Sequence, residues 1–257
     1  MTRRRRFVVL QACAVLVAAI GIGAVVTYDD GAPQAMRTGG FEVSGRGDSE
    51  AIAPINGFEA ARALGPVVDG YATPNPSPGS PPAISAPNPT WEGHPLTMSV
   101  LQARGEWLEV RLPARPNSAS YWVRAAQVET WEVPNRIVVE VGASRLTVYR
   151  GDSDEVLYTT DVATGRPATP TPLGEFYIDI VLPIGRGIYG WGMLSVAGFS
   201  DVLYSFGGGI GQIAIHGWND ESVMGQHRSN GCVRMRNGDI SQVAALAPLG
   251  TPVSIVA

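Results

Sequence analysis

Two residues in the last third of this 257-residue chain are of types that can do covalent chemistry together, a histidine and a cysteine. His216 follows the apolar run IAI at 213–215, and Cys232 stands sixteen positions later in the segment SNGCVR at 229–234. Because a thiol in water has a pKa of about 8.5, it needs a partner such as an imidazole to become a nucleophile at neutral pH. The two segments predict nucleophilic catalysis by Cys232, with His216 as its base.

The residues beside Cys232 are suited to hold a reacting carbonyl group. Gly231 lets the backbone come close to a substrate, and the N–H groups of Gly231 and Cys232 could face an oxyanion. Arg234 is placed to attract a carboxylate. Each of these residues alone has an ordinary structural explanation, such as a turn glycine, but their combination with His216 favours a catalytic site.

The elements that must position these residues are mostly strands. Apolar runs predict strands over 136–141, 146–149, 157–163, 174–182, 212–215 and 251–256. One helix is predicted, with Asn237 as its N-cap and Ile240 and Val243 on its apolar face. The region therefore reads as predominantly β with one or two helices. The glycine-bearing stretch 185–209 is expected to include a lid over the site.

Residues 66–129 read as a separate module of short strands. Apolar and polar residues alternate in WLEVRL at 107–112, which is typical of a half-buried strand, and a proline-containing turn follows. The segments EWLEVRLPARPN and YWVRAAQV resemble those of bacterial SH3-like modules, which implies a small SH3-like β-barrel. We expect Trp107 and Trp122 to be core aromatics rather than a ligand platform.

The first 28 residues predict a membrane segment. Arg3–Arg6 precede an apolar run over 7–26, and twenty residues at ~1.5 Å each match the thickness of the hydrocarbon layer. The arginines favour the cytoplasmic side, so the rest of the chain is expected outside a single-pass cell-membrane anchor. The alternative is a cleaved signal peptide and secretion. Residues 29–65 are polar and glycine-rich and predict a flexible linker with one short helix at 57–64.

Composition excludes several other classes of protein. The net charge is −4 and the only basic cluster is Arg3–Arg6, so nucleic-acid binding is not expected. Gly and Pro together make 51 of the 257 residues, which argues against a helical bundle. With Cys13 in the predicted membrane segment, the exported part keeps Cys232 alone. An exported protein normally pairs or omits its thiols, so a retained one is either inert or chemically used.

Residues 134–257 resemble the YkuD-type L,D-transpeptidase catalytic domain of bacterial cell-wall enzymes. The resemblance rests on HG at 216–217, SNGCVR at 229–234, GRPATPTPLGEFYI at 165–178 and APLGTPVSIV at 247–256. It implies a mainly β fold, with an L,D-transpeptidase-type β-sandwich and one or two helices over 130–257. The SH3-like barrel and the transmembrane helix would precede it.

The resemblance also implies roles for the matched residues. Cys232 would attack the carbonyl of the third stem-peptide residue, a meso-diamino acid, in a tetrapeptide donor, and D-Ala would leave to give a thioester. His216 would activate Cys232 and then deprotonate the acceptor amine, while the Gly217 carbonyl holds the imidazole. Ser229, Gly231 and the Cys232 backbone would shape the oxyanion region.

The implied product is a 3→3 cross-link between peptidoglycan stem peptides, formed without a metal or nucleotide. Carbapenem-type β-lactams would acylate Cys232. Asn230 stands where many members have histidine, and asparagine cannot carry a proton at neutral pH. Activity is still expected because His216 is present. Trp218 would either wall the donor site or pack the loop.

Two other functions are also compatible with this sequence. An L,D-carboxypeptidase would use Cys232 and His216 but pass the thioester to water. A catalytically weak wall-binding protein would act through the SH3-like module and would not need Cys232.

Overall fold

The computed structural model describes residues 53–185 and 187–257, without the side chains of residues 53–56 and 188. The predicted membrane segment 1–28 and most of the predicted linker lie outside the described residues. Within the described part of the chain, no helix is long and apolar enough to cross a membrane.

The N-terminal half is built from seven strands: β1 Ala53–Ala63, β2 Val67–Gly70, β3 Ile84–Pro87, β4 Thr97–Arg104, β5 Trp107–Arg111, β6 Ser120–Arg124 and β7 Val128–Val133. Five of them form an antiparallel sheet in the order β6-β5-β4-β1-β7, and β2 pairs with β3. The buried side chains between them include Val68, Met98 and Val110. Trp107 and Trp122 are also buried, as expected of core aromatics.

The first strand corrects the linker prediction. The sequence predicts that residues 53–63 belong to the linker, with a helix at 57–64, but they form β1 between β4 and β7. The run FEAARA at 58–63 has good helix propensity. Its backbone nevertheless pairs on both sides, with Ala60 opposite Ser99 and Trp131. Sheet pairing on two edges therefore overrides the local preference of the alanines.

The C-terminal half has ten strands and one α-helix: β8 Asn135–Glu140, β9 Arg145–Arg150, β10 Val156–Asp161, β11 Thr164–Gly165, β12 Gly174–Pro183, β13 Gly192–Phe199, β14 Gln212–Trp218, β15 His227–Ser229, β16 Val233–Arg236, α1 Asn237–Leu246 and β17 Pro252–Val256. Eight strands hydrogen-bond as one sheet in the order β10-β9-β8-β17-β12-β13-β14-β16. The fold is mainly β, as predicted, with a single α-helix among the described residues.

Strand β12 joins the two halves of this sheet. Residues 174–177 pair with β17, whereas residues 178–183 pair with β13 across a bulge near Asp179. The strands of the predicted β-sandwich therefore belong to one hydrogen-bonded sheet, and β12 is the strand that its two parts share. The core beside them includes Ile178, Leu194 and Ile215, and α1 adds Ile240 and Val243.

Two local predictions need correction. Asn237 is the first residue of α1 rather than its cap, because Arg236 holds the extended cap conformation without a side-chain cap bond. The predicted lid at 185–209 contains β13, whose eight residues are all buried. A strand that is buried on both faces shows no alternation of apolar and polar residues, and the glycines around β13 are typical of a loop. The sequence pattern therefore did not predict this strand.

The two sheets are joined by side-chain hydrogen bonds. The Asn117 amide accepts the Phe199 N–H at 2.9 Å and donates to the Phe199 carbonyl at 2.7 Å, as a neighbouring strand would. The buried Tyr177 hydroxyl donates to the Thr97 carbonyl at 3.0 Å. The Arg115 guanidinium lies 5.1 Å from the Phe199 ring centroid and 4.6 Å from that of Tyr204.

A pair of acidic residues also meets at this junction. Asp179 of β12 is buried and accepts a hydrogen bond from Gln212 Nε2 at 2.7 Å. Burial raises the pKa of Asp179 to about 6, although hydrogen bonds from Ser195 and Gln212 act against the shift. Burial, and then the neighbouring Asp179 charge, raises the pKa of Glu92 to about 7. The junction therefore favours protonated carboxyl groups.

Asn117→Ala is expected to destabilise the protein. The Phe199 N–H loses its acceptor at a buried strand end, and an unsatisfied group of this kind costs about 1–3 kcal/mol. Urea denaturation measures the loss. Asp152→Ala, on an exposed turn, is the control and should change the free energy of unfolding by less than about 0.5 kcal/mol. Equal stability of Asn117→Ala and the wild type would contradict this account of the junction.

The carboxyl pair predicts that stability falls as pH rises from about 4 to about 7. Both pKa values are higher in the folded than in the unfolded chain, where they are about 4. The folded state therefore binds more protons in this range, and rising pH disfavours it. Glu92→Gln and Asp179→Asn should each make the slope of unfolding free energy against pH less negative. A slope unchanged in both variants would show that these groups do not titrate as described.

Candidate active site

The candidate histidine and cysteine are brought together by the parallel pairing of β14 with β16. His216 lies opposite Arg234 in this register, and Cys232 immediately precedes β16. Extending the register by two residues places the Cα atoms of His216 and Cys232 about 8 Å apart. Residues two apart on a strand share a face, so both side chains project to the same side of the sheet. The structure thus unites the two residues that the sequence predicted as nucleophile and base.

The imidazole of His216 is held in one tautomer. Its Nδ1 lies 2.8 Å from the Gly217 carbonyl oxygen. A carbonyl can only accept, so Nδ1 carries the proton and the neutral ring has its lone pair on Nε2. The predicted contact with the Gly217 carbonyl is present. The Tyr189 ring packs edge-on against the imidazole, with centroids 5.0 Å apart.

Gly217 is required by close packing rather than by its φ angle. A Cβ at this position would lie 2.3 Å from Asn237 Oδ1 and 2.4 Å from the Tyr189 carbonyl oxygen. The start of α1 and the 3₁₀ turn Gly187–Tyr189 therefore both press on the backbone that follows His216. Any larger residue would displace the turn that carries Tyr189.

The loop before Cys232 is fixed by Ser229. Ser229 is fully buried, and its Oγ accepts the Gly231 N–H at 3.0 Å. Gly231 has φ of +117°, a conformation that favours glycine. We expected the Gly231 and Cys232 N–H groups to face an oxyanion together. The structure corrects this, because the Gly231 N–H is already bonded to Ser229.

A second segment supports the same loop from below. The Ser229 carbonyl accepts the Arg166 N–H at 3.1 Å and the Thr169 hydroxyl at 3.3 Å. The Thr171 hydroxyl accepts the Gly165 N–H at 2.8 Å. Thr169 and Thr171 belong to the motif at 165–178, but residue types alone did not mark them as part of the site. Their repeated Thr-Pro spacing was the available signal.

Cys232 is buried and lines a small pocket of about 240 Å³. The other lining residues come from the loop after β13, from β14 and from the loop before Cys232: Ser200, Leu203, Phe206, Gly211, Gln212, Ile213 and Asn230. Residues 200–209 belong to the predicted lid segment 185–209, and Gly211 lies just beyond it. They follow β13 and form the side of the pocket, so the outer parts of the predicted lid segment do reach the site.

Arg234 and Trp218 pack against each other. The Arg234 guanidinium lies 3.8 Å from the Trp218 ring centroid, and both side chains are buried. Nη1 of Arg234 donates to the Arg228 carbonyl at 3.3 Å. Trp218 does not line the Cys232 pocket, which favours the packing alternative over a donor-site wall. Arg234 was expected to attract a carboxylate; among the described residues it forms no salt bridge and supports the loop.

Asn230 is half-buried and lines the pocket beside Cys232. Its amide can donate and accept hydrogen bonds but cannot take a proton. His227 and His94 lie elsewhere: Nδ1 of His227 is 2.7 Å from the Thr164 hydroxyl, and neither residue lines the pocket. His216 is the histidine that the register of β14 with β16 brings to the strand beside Cys232. Among the described residues there is no cluster of three or more His, Cys, Asp or Glu side chains that could hold a metal ion.

A tautomer-fixed imidazole on β14 and a thiol just before the neighbouring β16 form the arrangement of enzymes that transfer or hydrolyse acyl groups through cysteine. Comparison with known proteins gives the family. The model of the L,D-transpeptidase catalytic domain, YkuD, matches residues 134–255. This chain belongs to the YkuD-type L,D-transpeptidase family.

Curated relatives agree with this assignment. The putative L,D-transpeptidase YkuD of Bacillus subtilis is 33% identical over 127 residues, which cover 49% of this chain and 69% of the relative. YkuD of Bacillus licheniformis is 35% identical over 123 residues, or 48% and 66% of the two chains. The chain thus spans about two thirds of these relatives' length, over about half of its own.

Solved structures match less closely. An L,D-transpeptidase from Mycobacterium smegmatis covers 59% of this chain and 78% of its own at 17% identity and a TM-score of 0.39. The LdtMt1 L,D-transpeptidase in complex with imipenem covers 62% and 73% at 19% identity and a TM-score of 0.38. These similarities are too distant to support conclusions about the site.

Gly217→Ala is expected to destabilise the protein and to reduce the reactivity of Cys232. The added methyl group overlaps Asn237 and the Tyr189 carbonyl, and overpacking of this kind costs about 1–3 kcal/mol. Urea denaturation and the rate of Cys232 alkylation by iodoacetamide measure the two effects. Gly238→Ala is the matched control, since its Cβ meets nothing within 4 Å and Ala suits a helix. Two variants of equal stability would refute the packing argument.

Proposed function

We propose that this protein is a peptidoglycan L,D-transpeptidase that forms 3→3 cross-links between stem peptides through a thioester on Cys232. The observation that carries the proposal is the register of β14 with β16, which brings Cys232 to the strand beside His216, whose Nδ1–H donates to the Gly217 carbonyl. This leaves Nε2 as the basic nitrogen. Family membership over 134–255 supplies the substrate class.

In the first step His216 Nε2 takes the thiol proton of Cys232, and Sγ attacks the carbonyl carbon of the third residue of a tetrapeptide stem. The bond from that carbon to the D-Ala nitrogen breaks. The imidazolium returns its proton to the departing amine, so a thioester and free D-Ala result. The fixed tautomer matters because a rotated ring would present Nδ1–H, which cannot accept a proton.

In the second step the side-chain amine of a neighbouring stem attacks the thioester carbon. His216 removes a proton from this amine, the carbon–sulfur bond breaks, and Cys232 is restored as a thiol. The oxyanion is assigned to the Cys232 N–H and the Asn230 amide, because the Gly231 N–H is bonded to Ser229. Asn230 acts as a neutral donor, so a second histidine is not needed for proton transfer in this scheme.

The proposal includes the setting of the enzyme. The sequence supports a single-pass anchor over 1–28 and a linker after it, which would place the catalytic half outside the cell membrane. The sheet of β1 and β4–β7 is proposed to act as an SH3-like wall module. Carbapenem-type β-lactams are proposed as covalent inhibitors, since a strained β-lactam carbonyl is an electrophile for the same thiol.

The test uses the full-length protein and a purified disaccharide-tetrapeptide containing meso-diaminopimelic acid. Mass spectrometry should find dimers that have lost one D-Ala. Cys232→Ala should lower their formation by at least about a thousandfold, as loss of a nucleophile does in other covalent catalysts. Cys13→Ala is the matched control, because the chain has two cysteines. Imipenem should add its whole mass to Cys13→Ala but not to Cys232→Ala.

Other products would change the conclusion. Tripeptide without dimer would replace the transpeptidase with an L,D-carboxypeptidase. Turnover that persists in Cys232→Ala, or no turnover in the wild type, would contradict the thioester mechanism and favour a wall-binding protein.

A further inference from the structure

A second cavity, larger than the Cys232 pocket, lies where the two sheets meet. Its volume is about 580 Å³. Its apolar walls come from the N-terminal half and include Ile84, Ala86, Pro87, Leu96, Leu112 and Pro113, whereas the C-terminal half contributes Asp179 and Gln212. Two carboxyl groups, Glu92 and Asp179, also line it. The mechanism proposed above uses neither of them.

The carboxyl groups have unsatisfied oxygen atoms. Asp179 is 96% buried, and its Oδ2 accepts from Gln212. Ser195 and the Asp179 and Ile180 backbone N–H groups lie close enough to lower its pKa, but none of them makes a hydrogen bond of full distance and angle to Oδ1. Oε2 of Glu92 is likewise buried without a hydrogen-bond partner. Buried acceptors are normally satisfied. Two of them at the wall of one cavity indicate a ligand that donates hydrogen bonds.

We propose that this cavity binds a primary aliphatic ammonium group, with Glu92 and Asp179 as its acceptors and the apolar walls around its alkyl chain. An ammonium group carries three N–H donors and a positive charge, which match two carboxyl groups with unused oxygens. A methylene chain matches the aliphatic walls. Trp91 lies at the same cavity, 46% exposed, where its ring can cover the chain.

A metal ion fits this site less well. Hard cations take six or more oxygen ligands, whereas the described residues offer no cluster of three metal-binding side chains. Arg111 is the nearby cation, since it lowers the pKa of Tyr177, but no salt bridge joins it to Glu92 or Asp179. Where the pair is ionised, no salt bridge among the described side chains neutralises it.

Binding should depend on pH through the two carboxyl groups. Their raised pKa values, about 7 for Glu92 and about 6 for Asp179, mean that both ionise as pH rises from 5 to 8. Tyr177 stays neutral there, because burial raises its pKa well above its usual value, and Arg111 is the cation beside it. Asp69, which bonds the lining residue Ser85, and His94, on the turn after Glu92, are the other titratable neighbours.

The experiment titrates the full-length protein with n-pentylamine and, separately, with 1-pentanol, and follows binding by calorimetry at pH 8 and pH 5. Pentylamine should bind at least about tenfold more tightly at pH 8 than at pH 5. A tenfold change corresponds to a shift of about one pKa unit in a carboxyl group on binding. Glu92→Gln and Asp179→Asn should each weaken pentylamine binding by about tenfold or more at pH 8. Pentanol should bind weakly in all three proteins.

His94→Gln is the matched control and should leave the pH dependence of binding unchanged. Cys232→Ala should bind pentylamine as the wild type does, so this result stands apart from the fate of the transpeptidase proposal. Thermal unfolding of each variant establishes that it is folded. Equal binding of pentylamine and pentanol, binding unaffected by both carboxyl substitutions, or no binding of pentylamine at pH 8 would overturn the proposal.

Discussion

The parallel pairing of β14 with β16 is the constraint on which the site depends. Two parallel neighbours cannot be joined by a tight turn, so the chain between them must cross over. Here the crossover is residues 219–232, which include β15 and end in the loop that carries Cys232. The register sets His216 opposite Arg234, which is two residues after Cys232 in the chain. A shift of one residue would send one side chain to the other face.

The supports of this pairing are backbone groups and small side chains rather than ion pairs. The backbone of Arg234 exchanges two hydrogen bonds with Ala163, at 2.8 and 2.9 Å, so β16 is held on a second side. Ser229 bonds the Cys232 loop internally, and Thr169 of the neighbouring segment donates to the Ser229 carbonyl. Thr171 bonds within that segment, and Gly217 lets the 3₁₀ turn approach the imidazole. Such contacts are short and directional. They fix the positions of reacting atoms better than long charged side chains do.

The sequence predicted an element or a site correctly where a single pattern, such as an apolar run or a family motif, dominated. Six of the strands over 134–257 and the helix were predicted from their apolar runs, and the resemblance placed His216 and Cys232 in one site. Strand β13 was missed because it is buried on both faces, and β1 was missed because its alanines favour a helix locally. The buried Gly231 N–H, the packing of Arg234 on Trp218 and the meeting of Glu92 with Asp179 depend on register and tertiary approach. No periodicity encodes these features.

The contact of Arg115 with Phe199 and Tyr204 has a consequence for how such proteins evolve. The same guanidinium lies 3.5 Å from the Ile210 carbonyl, so the N-terminal half holds a loop that walls the thiol pocket. The two halves are therefore not interchangeable parts. A recombination event that joined this C-terminal half to another module would keep the nucleophile and the base but lose one side of the pocket. Selection would have to preserve the junction and the pocket together.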